Sequence, residues 1–314
     1  MLVLSLSMLA GLLLLTAGAE GLVRGAASAA RRLGLTPLVI GLTVVAFGTS
    51  TPEFVVSLRA GLAGESAIAL GNVVGSNIGN IALILGGAAL IAPLRVQAQI
   101  IRVDVPIVIG VSLLLVALLA DGRLGRLDGT LLAAGIVAYT ATTIWLARRE
   151  KAPGVQAEFD EGVPPARNAW WDALFVAGGL ILLMGGAQLL VQGAVTVAER
   201  LGVSPMVIGL TIVGVGTSLP ELATSFVAAA RGEGDIAIGN VVGSNIFNIL
   251  GILGPAALLQ PIPATGLSVV DGAVMVGLAV LLVPLMRSGF VVNRWEGALL
   301  VALYGGYLWL LLLA

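Results

Sequence analysis

Shifted by 168 residues, the sequence falls on itself: Arg32–Gly86 aligns without a gap with Arg200–Gly254, and 34 of those 55 positions are identical. The match runs beyond that block. Gly18-Ala19 meets Gly186-Ala187, Gly25-Ala26 meets Gly193-Ala194, Tyr139 meets Tyr307, and Asp104 and Asp271 fall within one residue of register. A repeat this long means one structural unit built twice, each copy packing against the other. What is repeated is apolar. Hydrophobic residues make up 58% of the 314 positions and charged residues 11%, with a mean hydropathy of +1.07. That is too little charge to cover a soluble domain of this length.

Stretches of roughly 20 apolar residues can cross a bilayer, and the pattern predicts ten, near 2–23, 36–61, 67–92, 99–120, 128–147, 170–192, 204–230, 235–259, 267–286 and 295–313. The longest break, Arg148 to Asn168, is rich in charge and proline. It divides the chain into a first five-helix repeat (1–147), a linker loop (148–168) and a second repeat (169–314). Because five is odd, equivalent points in the two halves face opposite sides of the membrane. The expected fold class is therefore an all-α polytopic membrane protein with ten transmembrane helices in two inverted five-helix repeats, with helices 2 and 7 broken. Exchanging the conformations of two inverted halves converts an outward-open state into an inward-open one, which is how transporters work.

The first apolar run is followed by Ala17-Gly18-Ala19-Glu20, which has some look of a cleavage site. No Lys or Arg precedes it, so a retained first helix is expected. Loops after spans 1, 3, 5, 7 and 9 carry twelve Lys or Arg, and the opposite loops carry four. The positive-inside rule then places both termini outside and the 148–168 loop in the cytoplasm of a cell with this chain in its inner (plasma) membrane.

The chain has no cysteine and no histidine. Disulfides, zinc sites, thiol nucleophiles and every Ser-His or Cys-His pairing are excluded together. A net charge of −1 offers no basic face for nucleic acid. No enzymatic activity, no cofactor and no obligate protein partner is expected; the partners are the lipid bilayer and transported ions.

Two matched segments break the rules for a membrane helix. Gly48-Thr49-Ser50-Thr51-Pro52-Glu53 and Gly216-Thr217-Ser218-Leu219-Pro220-Glu221 each lie within a predicted span. Proline removes a backbone donor there, and freed carbonyls at membrane depth are tolerated where they line a cavity. A carboxylate at the bilayer centre costs roughly 2.5–3.5 kcal/mol on the insertion scale. Two of them, Glu53 and Glu221, with no Lys or Arg nearby in the spans, suggest a cation as the missing partner. The following spans carry Gly71-Asn72-Val73-Val74-Gly75-Ser76-Asn77-Ile78-Gly79-Asn80 and Gly239-Asn240-Val241-Val242-Gly243-Ser244-Asn245-Ile246-Phe247-Asn248. Ser76 and Asn80 share one helix face, as do Ser244 and Asn248, and these four are ligand candidates. Gly71 and Gly75 permit close helix contact. Asn72 and Asn240 read as helix caps, and Asn77 and Asn245 as hydrogen-bonding groups between helices. Carboxylates, hydroxyls and amide oxygens without sulfur or imidazole make a site for a hard cation. Calcium and sodium suit it better than magnesium, which dehydrates reluctantly, or zinc and copper. Glu20 in the first span lies one turn from Arg24, the spacing of a local ion pair.

At these residues the chain resembles the calcium/cation antiporter superfamily, and within it the prokaryotic sodium/calcium exchangers, whose two alpha-repeats carry paired G-T-S-x-P-E and G-N-V-V-G-S-N-I-x-N blocks. The resemblance implies exchange of Ca2+ for Na+ by alternating access, with spans 1 and 6 sliding across a core of eight helices. By that resemblance Glu53 and Glu221 are the central ligands, and Thr49, Ser50, Thr217 and Ser218 add hydroxyl or carbonyl oxygens. Ala46 and Gly214 offer backbone carbonyls at the edges, and Ser76, Asn80, Ser244 and Asn248 complete the set. One departure stands out: many relatives, the potassium-dependent ones included, have Asp where this chain has Asn248, so potassium coupling does not carry over. A calcium/proton antiporter is the alternative, although that branch has a Gly-Asn-Ala-x-Glu pattern in place of Gly-Thr-Ser-x-Pro-Glu. A calcium channel fits an inverted duplication poorly, because pores are rings of several subunits, and an intramembrane enzyme lacks a nucleophile-base pair.

Overall fold

The structure is a computed structural model that describes residues 2–149, 168–201, 214–265 and 267–313. Helices dominate it. They are α1 (Leu2–Leu33), α2 (Pro37–Thr49), α3 (Thr51–Ala63), α4 (Ser66–Ile91), α5 (Ile100–Asp121), α6 (Arg126–Arg149) and α7 (Ala169–Arg200). Beyond residues 202–213 follow α8 (Gly214–Thr217), α9 (Leu219–Ala230), α10 (Gly234–Leu259), α11 (Val269–Arg287) and α12 (Arg294–Leu313). Seven are long and apolar enough to cross a membrane, and the bent pair α2–α3 brings the number to eight. The chain is thus an integral membrane protein. Most of the 148–168 linker, and the start of the stretch predicted at 204–230, lie outside the described residues.

The long helices have apolar residues on nearly every side, as lipid-facing helices must. α1 and α7 are held together by something other than apolar surface, since lipid tails match leucine in polarity and give little drive for helix association. Small residues let their backbones touch. A Cβ added to Gly18 would lie 2.7 Å from the Gly179 carbonyl oxygen, and one added to Gly186 would lie 2.7 Å from that of Gly11. Residue 11 meets 186 and 18 meets 179, so the two helices run antiparallel, although each is the other's copy at the 168-residue offset. Gly18→Val should therefore overpack this seam and lower stability by about 1–3 kcal/mol. Thermal unfolding of the detergent-solubilised protein checks it, and an unchanged midpoint would contradict the close contact.

Two pairs of two-residue strands, unforeseen in an all-α reading, clip the halves together. β1 (Leu94–Arg95) pairs antiparallel with β4 (Val291–Val292), and β2 (Arg123–Leu124) with β3 (Ile262–Pro263). Leu94 faces Val292 and Leu124 faces Ile262. Adding 168 to 94 gives 262 and to 124 gives 292, so each clip is the image of the other. Gly64 and Gly232, also equivalent, both take positive φ (78° and 76°) in the tight turns that lead into α4 and α10, a conformation that favours glycine.

The second motif helix occupies the centre: the most apolar stretch of α10 is wholly buried, and most of the corresponding stretch of α4 is too. Gly239 and Gly243 on α10 make close contacts with α2 at Leu38, Leu42 and Ala46. A Cβ added to Gly71 or Gly75 on α4 would meet nothing within 4 Å among the described residues; positions 206 and 210, equivalent to Leu38 and Leu42, lie outside them, and so does the close contact expected of these two glycines.

Candidate cation site

α2 and α3 are separated by a bend of 48° at Ser50. Ser50 has φ −78° and ψ 8°, and its equivalent Ser218, between α8 and α9, has φ −87° and ψ 8°. Pro52 and Pro220 follow in the first turn of the next helix, where a missing N–H leaves no bond unmade. Each break places a glutamate in the first turn of α3 or α9, where the positive end of the helix dipole favours a carboxylate. Both are buried: Glu53 and Glu221 are each 1% exposed.

The breaks cross over. Ser50, from the first half, donates to Glu221 Oε1 at 2.8 Å; Ser218, from the second, donates to Glu53 Oε1 at 2.9 Å. Ser50 Oγ also lies 3.0 Å from Ser244 Oγ, and Ser218 Oγ 3.3 Å from Ser76 Oγ. The carboxylates, Ser50, Ser218, Ser76 and Ser244 therefore form one cluster of both halves. None of the ion pairs among the described residues involves either glutamate.

Asn80 and Asn248 begin π-helical turns, Asn80–Leu85 and Asn248–Leu253, a local widening that often marks functional positions. Their amide nitrogens are spent across the interface. Asn80 Nδ2 donates to Asn245 Oδ1 (3.1 Å), and Asn248 Nδ2 donates to Asn77 Oδ1 (3.0 Å). Asn77 Nδ2 further donates to the Asn245 carbonyl at 3.2 Å. Asn77 and Asn245 thus bridge helices as expected, and in doing so fix which way the amides of Asn80 and Asn248 turn. Glu53 Oε2, Glu221 Oε2, Asn80 Oδ1 and Asn248 Oδ1 are left buried without a hydrogen-bond partner. Buried acceptors are nearly always paired. These four unpaired oxygens fall in two symmetric pairs, two of them from carboxylates, and oxygen donors of this kind are the type hard cations take.

Thr49 and Thr217 stand one position before the serines, and their hydroxyls bond Asn240 Oδ1 (3.0 Å) and Asn72 Oδ1 (3.4 Å). Asn72 and Asn240 are not helix caps. They sit inside α4 and α10, where Asn72 Nδ2 donates to the Glu53 carbonyl (3.2 Å) and Ser57 Oγ (2.8 Å). Asn240 does the same to the Glu221 carbonyl (3.3 Å) and Ser225 Oγ (3.0 Å). A cap reading fails because a buried interior amide must find partners across the neighbouring helix, and the bent helix offers them. Ser57 and Ser225, unnoticed in the sequence, are identical in the repeat and complete this support. The Ala46 carbonyl accepts the Ser50 N–H at 3.0 Å. Gly214 opens α8, at the edge of the described residues.

Outside the cluster, Asp104 and Asp172 also each have one oxygen bonded and one buried without a hydrogen-bond partner, but each lies apart from any second carboxylate of the cluster. Tyr139 donates to Asp104 at 3.0 Å and Tyr307 to Asp271 at 2.9 Å. Glu20 pairs with Arg24, as the spacing suggested, and also with Arg231, whose Nη2 lies at 2.5 Å. Arg32 reaches Asp172 at 2.8 Å, tying the end of α1 to the start of α7.

The family model described as sodium/calcium exchanger protein matches the chain twice, at residues 3–145 and 171–313, one match to each half. The putative antiporter CaxA of Alkalimonas amylolytica is 40% identical over 316 residues, covering 99% of both chains. The sodium/calcium exchanger MaX1 of Methanosarcina acetivorans is 33% identical, covering 96% of this chain and 97% of its own. A solved structure of the sodium-calcium exchanger NCX_Mj superposes with a TM-score of 0.83 at 34% identity, over 96% of each chain. The duplication seen in the sequence, the crossed serine–glutamate pairs and this double match agree: the chain belongs to the sodium/calcium exchanger family.

Proposed function

We propose that this protein is a secondary active antiporter that exchanges Ca2+ for Na+ by alternating access. Its ligands are Glu53, Glu221, Ser50, Ser218, Ser76, Ser244, Asn80 and Asn248, with Thr49, Thr217 and the Ala46 and Gly214 carbonyls at the margins. The observation that carries this reading is the set of four buried, unpartnered oxygens contributed equally by the two halves. Two carboxylates match the charge of one calcium ion, and the neutral oxygens around them replace its water. Sodium takes the same kind of oxygen, so each ion empties the site for the other. The relatives named as sodium/calcium exchangers support the choice of sodium. Calcium uptake by the reconstituted protein under an imposed sodium gradient tests it: uptake that collapses with the gradient supports the reading, and uptake indifferent to sodium contradicts it.

The architecture proposed with it is ten spans in two inverted five-helix repeats, 1–147 and 169–314, joined by a cytoplasmic 148–168 loop, in the inner membrane. The antiparallel packing of the equivalent helices α1 and α7 supports inversion. The excess of basic residues on one set of loops sets the direction. A reporter inserted within 152–165 is expected to read cytoplasmic, and one after Ala314 to read the outer side. The reverse pattern would invert the orientation.

A further inference from the structure

A carboxamide has an acceptor at one end and a donor at the other, so an asparagine serves a cation only if something decides which end faces it. For Asn248 the decision traces back to a backbone carbonyl. Asn245 stands where α10 passes from α-helical to π-helical turns, and its carbonyl oxygen accepts the Asn248 N–H of its own helix. The same oxygen accepts Asn77 Nδ2, from α4 in the other half, at 3.2 Å. A carbonyl can only accept. Asn77 therefore gives it the NH2 group and turns its own oxygen the other way.

That oxygen meets Asn248, whose Nδ2 donates to Asn77 Oδ1 at 3.0 Å. With its NH2 engaged there, Asn248 has Oδ1 left over. This atom is buried without a partner, one turn beyond Ser244 on the same face of α10. Asn77 and Asn248 are 1% and 0% exposed, so water does not replace either link. Asn80 is held separately, by a bond from its Nδ2 to the Asn245 side chain at 3.1 Å. If Asn77 could not accept, the Asn248 NH2 would lose its acceptor and gain by rotating toward the cluster, where Glu53 Oε2 and Glu221 Oε2 are unpaired. It would then compete for oxygens that a cation needs.

We propose that Asn77 is a positioning residue, which relays the polarity of the Asn245 carbonyl across the interface and keeps the oxygen of Asn248, not its NH2 group, on the side of the cation. Asn77 acts on the ion only through Asn248. The role rests on the reading of Asn248 as a cation ligand; the relay itself rests on the chain of hydrogen bonds. Its members come from different halves, with Asn77 and Asn248 171 residues apart.

Calcium binding to the full-length protein in detergent, followed by titration calorimetry, tests the role in three backgrounds. With Asn at 248, Asn77→Leu should weaken binding by about tenfold or more, because a buried donor loses its acceptor and its amide turns. With Asn248→Asp already in place, Asn77→Leu should cost less than about twofold, since a carboxylate has an oxygen at both ends and no wrong way to face. With Asn80→Asp instead, which adds the same charge at the mirror position, the cost should stay near that in the native background. Equal costs in all three, as a merely structural Asn77 would give, or no cost in the first, would overturn the role. Without any cation, the thermal unfolding midpoint reports the relay alone. Asn77→Leu and Asn248→Leu should each lower it, and the two together no further than the larger single effect. Additive losses would overturn the relay. Coupled losses in a protein that binds no calcium would leave the relay standing and remove the exchanger reading.

Discussion

Glu53→Gln and Glu221→Gln are each expected to abolish calcium transport. Each glutamate is 1% exposed and has one oxygen held by a serine of the other half, at 2.9 Å for Glu53 and 2.8 Å for Glu221. The second oxygen of each has no partner. Glutamine keeps the shape and one acceptor but removes the charge, and the NH2 group it introduces competes with a cation for the unpaired acceptor oxygens of the cluster. A calcium ion there would then face a single carboxylate. Breaking a buried charge pairing by removing one partner costs about 3–5 kcal/mol, about two to three and a half orders of magnitude in affinity at about 1.4 kcal/mol per factor of ten. The two variants should fail alike, because the crossed hydrogen bonds give the carboxylates equivalent roles. Calcium flux into dye-loaded proteoliposomes checks this, with size-exclusion profiles showing that the variants are folded. Transport near the unsubstituted rate by either one would remove that glutamate from the site.

Much of this was legible in the sequence, for a physical reason. In a membrane, polar groups are expensive enough that each must have a use, so Glu53, Glu221 and the serines and asparagines of the second motif stood out from apolar surroundings. Their duplication then marked them as a set. The sequence could not say which member of the set touches which. The crossing of Ser50 to Glu221 and Ser218 to Glu53 depends on how the halves interlock. So does the turning of Asn80 and Asn248 by Asn245 and Asn77. Asn72 and Asn240 were misread as caps because cap and buried-bridge asparagines look alike along one chain; the difference lies in what the next helix presents, here Ser57 and Ser225. The π-helical turns and the strand clips were invisible, since neither has a composition of its own.

An inward sodium gradient should drive calcium outward through the reconstituted protein at constant pH, and carry charge as it does so. The site holds two carboxylates with no Lys or Arg paired to them among the described residues. One calcium ion or two sodium ions neutralise that pair, and every further sodium ion bound to the serine hydroxyls and asparagine oxygens adds a positive charge to the loaded carrier. The surrounding neutral oxygens argue that sodium fills more than the two carboxylates, because a carrier that needed only two protons would have no use for Ser50, Ser218, Ser76, Ser244, Asn80 and Asn248 as ligands. Net charge movement couples transport to membrane potential at about 2.3 kcal/mol per elementary charge per 100 mV, which makes the effect large. The decisive measurement is calcium flux in proteoliposomes with sodium and proton gradients imposed separately, with a potential-sensitive dye present. Calcium should move in the direction opposite to the imposed sodium gradient with no pH gradient, together with a potential whose sign reverses when the sodium gradient is reversed. Calcium that moved only under a pH gradient, with sodium neither driving nor inhibiting it, would contradict the account and make the protein a calcium/proton antiporter.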